Sequence, residues 1–281
     1  MASLHTIHVR TPATAGDLKM KKFLLALTAA AAFSGSAMAA DMPARAYTKA
    51  APMAPAASWT GFYIFGGGGG GLWAADTTTQ VTATGAPILG VNQRQGGSGW
   101  FGTVGAGYDW QVNPTWVVGI FGDGQFGSIK GTIQDQVPFW AGDEKLQSSW
   151  AGGLRVGYLV APNVLSYFNG GYTGSHWSGT TLVNTFAGAA TGAHTNSFNR
   201  NGWFIGGGVE HNLDIFGISA PGWFMKTEYR SAYYDRKSIN ELVNGTNAFV
   251  GTDINFKPWV QTISTSLVYR FNWTGPVVSK Y

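Results

Sequence analysis

The sequence predicts an all-β fold, an eight-stranded antiparallel up-and-down transmembrane β-barrel. Three observations predict it. Eight segments of up to 15 residues alternate apolar with small or polar side chains, the connections between them alternate strictly between short and long, and the composition is poor in charge. Only 11% of the 281 residues are charged while 14% are aromatic, with 12 Trp and 41 Gly, against roughly 25% charged in an ordinary soluble domain. Such a surface asks for a solvent other than water.

The elements follow in order along the chain. Met20-Lys21-Lys22, the apolar run Phe23 to Phe33 and Ala37-Met38-Ala39 form the basic, apolar and small-residue regions of a secretory signal. Residues 1–39 are therefore expected to be removed by cleavage between Ala39 and Ala40, with Met20 as the true start of translation. Losing Arg10, Lys19, Lys21, Lys22 and Asp17 leaves 14 basic and 13 acidic residues. The basic balance of the full chain belongs to the leader, which excludes nucleic acid as a partner. Cysteine is absent, so disulfides, thiolate metal sites and cysteine nucleophiles are excluded. Residues 40–58, rich in Ala and Pro, read as an extended periplasmic linker, and residues 59–281 as the barrel.

The eight segments are Thr60 to Trp73, Ser98 to Val112, Thr115 to Ser128, Gln147 to Val160, Val164 to Trp177, Arg200 to Leu213, Gly222 to Tyr234 and Pro258 to Phe271. Asn113-Pro114 and Ala161-Pro162-Asn163 are tight turns, and Asp214 to Pro221 is somewhat longer. The other connections, Ala74 to Gly97, Ile129 to Leu146, Ser178 to Asn199 and Asp235 to Lys257, read as long polar loops. Antiparallel strands crossing a bilayer place the two classes on opposite sides, with short periplasmic turns and longer external loops. An even strand count then puts both termini in the periplasm. In the last segment Trp259, Gln261, Ile263, Thr265, Leu267, Tyr269 and Phe271 share one face; in the fourth, Trp150, Leu154, Val156 and Tyr158 do so. Those faces suit lipid, with an aromatic girdle at the headgroups formed by Trp100, Trp110, Trp116, Trp150, Tyr158, Trp203, Trp223, Trp259, Tyr269 and Phe271. A hydrocarbon layer satisfies no amide, so the sheet must close.

Gly66 to Gly71 invites comparison with a phosphate-binding loop. Leu72-Trp73-Ala74-Ala75-Asp76-Thr77 supplies neither the Lys-Ser/Thr nor the helix start that such a loop requires. Flanked by Phe62, Tyr63, Ile64, Phe65 and Trp73, the run reads as the first strand, trimmed to allow close approach and tight coiling.

The leader "ADMPARAYTKAAPMAPA", the opening strand "SWTGFYIFGGGGGG", the hairpin "GTVGAGYDWQVNPTWVVGIFGD" and the ending "LVYRFNWTGPVVSKY" together resemble the alphaproteobacterial outer-membrane immunogenic proteins of rhizobia and brucellae. The unbroken glycine run departs from that family's pattern, in which Asn, Val and Tyr interrupt the glycines. The resemblance implies a surface-exposed structural or immunogenic porin-family barrel akin to the membrane domain of OmpA-type proteins; it does not imply a peptidoglycan-binding module. Phe271 resembles the terminal aromatic read by the barrel assembly machinery. The expected function is therefore structural, supporting the Gram-negative envelope and displaying surface loops to an unidentified ligand. Outer-membrane lipid and lipopolysaccharide are the expected surroundings, and the oligomeric state is left open.

Inside the barrel, Asp109, Asp123, Arg155, Glu210, Lys226, Glu228, Arg230 and Arg270 are the candidate lumen charges. They read as a salt-bridge network, because lone buried charges are costly; a narrow gated channel is the alternative. Ser175, His176 and Ser178 at one strand end raise the further alternative of a lipid A-modifying enzyme, but no acid neighbours them to orient a base. His176, His194 and His211 are the histidines left for haem ligation, a weak signal. No catalytic residue, metal or cofactor is expected. Asn244-Gly245-Thr246 matches a glycosylation acceptor, expected to be inert in this setting.

Overall fold

A computed structural model describes residues 58–271. The signal region, all of the linker but Ser58, and the segment after Phe271 lie outside the described residues. Eleven strands make up the described chain: β1 (Gly61–Val81), β2 (Gln93–Gln111), β3 (Trp116–Gln134), β4 (Trp140–Ala161), β5 (Val164–Trp177), β6 (Thr180–Asn184), β7 (Ala190–Thr195), β8 (Phe198–Asn212), β9 (Trp223–Tyr234), β10 (Lys237–Val243) and β11 (Phe249–Arg270). A 3-10 turn, Leu213–Phe216, sits between β8 and β9.

Eight of these strands form a ring in the order β1-β2-β3-β4-β5-β8-β9-β11, and β1 pairs with β11 to close it. Every pairing in it is antiparallel. Following paired residues round the ring from Ile64 gives Ala106, Gly122, Gly152, Tyr172, Trp203, Tyr233, Trp259 and then Ala74. The path returns to β1 ten residues above its start, which fixes the stagger of the barrel. Eight strands with that stagger tilt by about 40° from the axis at ordinary strand spacings.

Closure depends on the glycine run. Gly67, Gly69 and Gly71 turn inward and Gly66, Gly68 and Gly70 outward, continuing the alternation of Tyr63 and Phe65 (buried) with Phe62 and Ile64 (exposed). A Cβ on Gly67 would overlap the Thr265 carbonyl oxygen, and one on Gly69 that of Ile263. Both carbonyls belong to β11, so glycine here lets the first and last strands approach.

The four long connections are not mainly loops, as the sequence reading had them. β1, β2, β3, β4 and β11 run on well past the expected ends, and β6, β7 and β10 continue β5, β8 and β9 after short breaks at residues 178–179, 196–197 and 235–236. Pairings β4–β6, β6–β7, β7–β10 and β10–β11 carry the wall upward. From Trp259 to Phe249 the extension is about 25 Å along the axis. The free tips shrink to residues 82–92, 135–139, 185–189 and 244–248. Thr77 and Thr79 face in and are buried. Threonine is a good strand former, but a stretch whose outer face meets water needs no apolar residues there, so the polar alternation passes for loop sequence. The opposite rim has tight turns: Asn113 Oδ1 accepts from the Thr115 and Trp116 amides at 2.9 and 2.8 Å.

Candidate functional site

The lower half of the lumen holds the densest chemistry in the described chain. Inward positions of neighbouring strands converge there because the side-chain period is two and the interior of an eight-stranded barrel is only wide enough for side chains. All eight charged residues named from the sequence point into it and are buried. Four cations meet four anions, so the set is formally neutral.

The layer nearer the short turns is a square of alternating charge. Arg155 on β4 bonds both oxygens of Asp109 on β2 and lies 3.1 Å from Glu210 on β8. Arg270 on β11 reaches the same two acids at 2.8 and 2.7 Å. The second layer centres on β9, where Arg230 donates to Asp123 of β3 at 2.9 and 2.6 Å and to Glu228 at 2.8 Å. Glu228 also accepts from Tyr167 and Asn169 of β5 at 2.9 and 3.0 Å, with Lys226 at 3.8 Å. Tyr63 of β1 lies under Arg155, whose guanidinium carbon is 4.4 Å from the ring centroid. Every strand of the ring therefore contributes a side chain to the network.

Aromatic rings enclose these charges. Lys226 Nζ is 3.3 Å from the Phe65 centroid and Arg230 is 4.6 Å from that of Phe204. At the short-turn end Trp59 packs on Phe224 at 5.1 Å and donates from its indole to the Pro162 carbonyl at 3.1 Å. Above the charges Trp73, Trp177, Phe198 and Phe256 pack as a cluster with centroids 5.3 to 6.1 Å apart. Sequence reasoning missed these plugs. Their signal was present in the alternation, since Trp73 and Trp177 share the inward parity of Phe65 and Ser175.

Outside, the girdle forms two bands. Trp100 and Trp110, both exposed, are ten residues apart on β2, about 25 Å along the axis at this tilt. That is the height of the apolar band of an outer-membrane barrel. Trp150 and Trp203 lie toward the tall end; Trp116, Tyr158, Trp223, Tyr269 and Phe271 lie toward the short-turn end. Trp259 stacks on Tyr233 at 5.9 Å. Phe62, Tyr108, Tyr172 and Tyr233 join these bands and are not among the girdle residues expected from the sequence.

The model of the outer membrane protein beta-barrel domain matches residues 25–271. The chain belongs to the outer-membrane β-barrel domain family. A 31 kDa outer-membrane immunogenic protein of Brucella melitensis biotype 1 is 30% identical over 264 residues, covering 90% of this chain and 100% of the relative. The protein of the same name from Brucella suis biovar 1 matches equally. Among solved structures, the outer membrane protein OprG from Pseudomonas aeruginosa aligns with 75% of this chain and 97% of its own, at 11% identity and a TM-score of 0.44. Family membership makes the chain a surface-exposed structural protein of the cell outer membrane.

The remaining candidates separate in space. Ser175 faces in, donates to the Arg200 carbonyl at 3.2 Å and accepts from the Trp177 indole at 3.0 Å. His176, its neighbour, faces out and sits 2.7 Å from Asn199 Oδ1. The strand period thus puts the two on opposite sides of the wall. His211 lies at the short-turn end, opposite Val164, whereas His194 sits in the extension beside Asn244 Oδ1 at 2.8 Å. Asn244 itself occupies the β10–β11 turn, its amide donating to the Gly192 carbonyl at 2.7 Å.

The extension holds a second set of buried polar groups that the sequence reading did not single out. Glu144, Asp135 and Glu241 are fully buried. Burial pushes the Glu144 carboxyl up to about 8, offset only in part by the Lys145 amide. Burial also raises Asp135 and carries Glu241 to about 8; these two carboxyls face each other and favour sharing a proton. Asp135 accepts from the Trp140 amide at 2.6 Å and Glu241 from the Thr252 hydroxyl.

Proposed function

We propose that this barrel is a non-conducting, non-enzymatic anchor that contributes to envelope integrity and raises a rigid wall above the outer leaflet. The observation that carries the reading is the filled lumen. Four cations and four anions on six strands neutralise one another, with aromatic plugs above and below. Separating such pairs to admit a solute would leave charges unpaired at low dielectric, which is expensive. This favours the anchor over the narrow diffusion channel.

In this reading the short turns and both termini face the periplasm, and the tips at 82–92 and 185–189 face outward. The Brucella relatives are named for immunogenicity, and these tips are where antibodies or an environmental ligand would meet this chain. Lipopolysaccharide surrounds the tall end, and the barrel assembly machinery reads the end of β11 together with Phe271, the aromatic that follows it. Reconstitution into planar bilayers tests the proposal: the expected record shows no reproducible unitary steps, and regular steps from the unaltered protein would overturn it.

A further inference from the structure

Two recesses on one side of the barrel lie in line. The lower is an apolar groove of about 610 Å³ on the lipid-facing side of β5, β8, β9 and β11, lined by Phe168, Ile205, Gly207, Tyr229, Tyr233 and Trp259. Gly207 gives it a floor without a side chain. Its upper end is fixed by the Tyr233–Trp259 stack and by Trp259 Nε1, which donates to Ser231 Oγ at 2.6 Å.

Directly above, the strand ladder is interrupted, and just past its end the Asp235 amide donates to the Asn201 carbonyl at 3.0 Å and Arg200 Nη1 to the Arg236 carbonyl at 2.7 Å. The β8–β9 ladder ends at Gly202 opposite Tyr234, and the β7–β10 ladder begins at Thr195 opposite Glu241. Between them is a cleft of about 220 Å³ whose polar lining includes Asn196, Ser197, Lys237 and Asn240. Arg236 and Lys237 are exposed at its edge; Lys237 stands opposite the inward Phe256 in register and is exposed through the cleft it lines, while Lys257 is exposed two residues above Trp259 on the outward face of β11. The acids nearby along the chain and the ladders are Asp235, Asp76 opposite Lys257 in register, Glu241 next to Asn240 and Asp253 opposite Asn240, the last two buried away from the surface.

The depth of each recess selects its occupant. A groove within the apolar band is wetted by an acyl chain, while cations just above the aromatic band sit where lipid phosphates lie and attract an anionic headgroup. We propose that this side of the barrel binds one phosphorylated, acylated glycolipid of the outer leaflet. One acyl chain fills the groove, a phosphate rests on Lys257, Lys237 and Arg236, and sugar hydroxyls meet Asn196, Ser197 and Asn240. The inference rests on the tall end facing outward.

Native mass spectrometry of the full-length mature protein in mild detergent tests it, with bisphosphorylated lipid A, enzymatically dephosphorylated lipid A and phosphatidylglycerol as probes. The expected result is a one-to-one adduct with bisphosphorylated lipid A, retained about tenfold better than either other lipid. Lys237→Ala with Lys257→Ala should lower retention about tenfold, and Ile205→Trp, which fills the groove from its exposed side, should abolish it while the heat-shifted gel band persists. Equal retention of all three lipids, or adducts indifferent to both variants, would overturn the proposal. Cleavage on intact cells of a protease site inserted after Phe186 reports orientation separately: protection there overturns the outward reading, whereas adduct formation is measured without it.

Discussion

The guanidinium carbon of Arg270 lies 4.4 Å from the centroid of the Trp59 indole, and its Nη1 is 3.3 Å from the Trp59 carbonyl oxygen. These residues sit at the two ends of the barrel sequence, so the contact joins the last strand to the segment that enters the first. Arg270 also grips Asp109 and Glu210, which ties the closure of the ring to the charges inside it.

Arg155 bridges the same two acids, so its loss should be costly. Arg155→Ala leaves Asp109 and Glu210 each short of a partner in a dry interior, and removing one member of a buried pair destabilises by about 3–5 kcal/mol. Urea unfolding of the reconstituted barrel, followed by loss of the heat-shifted gel species, should show a midpoint lowered to match. Adding Asp109→Asn should recover part of the loss, because it removes one orphaned charge.

The glycine run should divide by parity. Gly69→Ala drives a methyl group into the Ile263 carbonyl, whereas at Gly66 the nearest atoms to an added Cβ are 3.8 and 3.9 Å away, ordinary contact. Gly66→Ala should assemble like the parent, while Gly69→Ala should lower the yield of heat-shifted barrel by obstructing β1–β11 closure. Equal yields would mean that the strands can separate there at little cost.

How much of this was legible beforehand depends on the solvent each face meets. In the bilayer the outer face must be apolar, so Trp259, Ile263, Leu267 and Tyr269 announce β11 and its facing. The parity of Arg155 against Leu154 and Val156 likewise places the charge inside. Above the bilayer both faces can be polar, and Thr252 to Phe256 lost the contrast that marks a strand. Trp73 and Trp177 were readable as strand residues but not as a lumen plug, because their contact joins positions 104 residues apart and depends on the stagger of the whole barrel. Glu144 carried no signal, since nothing in Gly142-Asp143-Glu144-Lys145 distinguishes the buried acid from the exposed one.

The extension should weaken as pH rises. Glu144 and Glu241 have an ordinary value of 4.5 and are raised to about 8 in the fold. Below pH 4.5 both states are protonated and the stability is fully present. Between 4.5 and 8 the unfolded segment releases its protons while the folded one holds them, so stability is progressively lost, and above 8 the loss is complete. Amide hydrogen exchange at β6, β7 and β10, corrected for intrinsic rates, should show protection falling across that window. Glu144→Gln should flatten part of the slope without changing the ladder inside the bilayer.

Charge introduced on the outer face should report where lipid begins. Val104 on β2 is 57% exposed, between the bands marked by Trp100 and Trp110. Thr132 on β3 is exposed in the extension and pairs with Asp143 of β4. In water the two positions would tolerate arginine alike. With acyl chains around the lower half, Val104→Arg should cost about 2–4 kcal/mol near the midplane, whereas Thr132→Arg, above the interface, should cost about 0–1 kcal/mol. Reversible unfolding in lipid vesicles measures both. Similar penalties would displace the membrane from the band between the two girdles, because the closed register would then be a barrel whose exposed Val104, Leu154, Ile205 and Ile263 face something other than hydrocarbon.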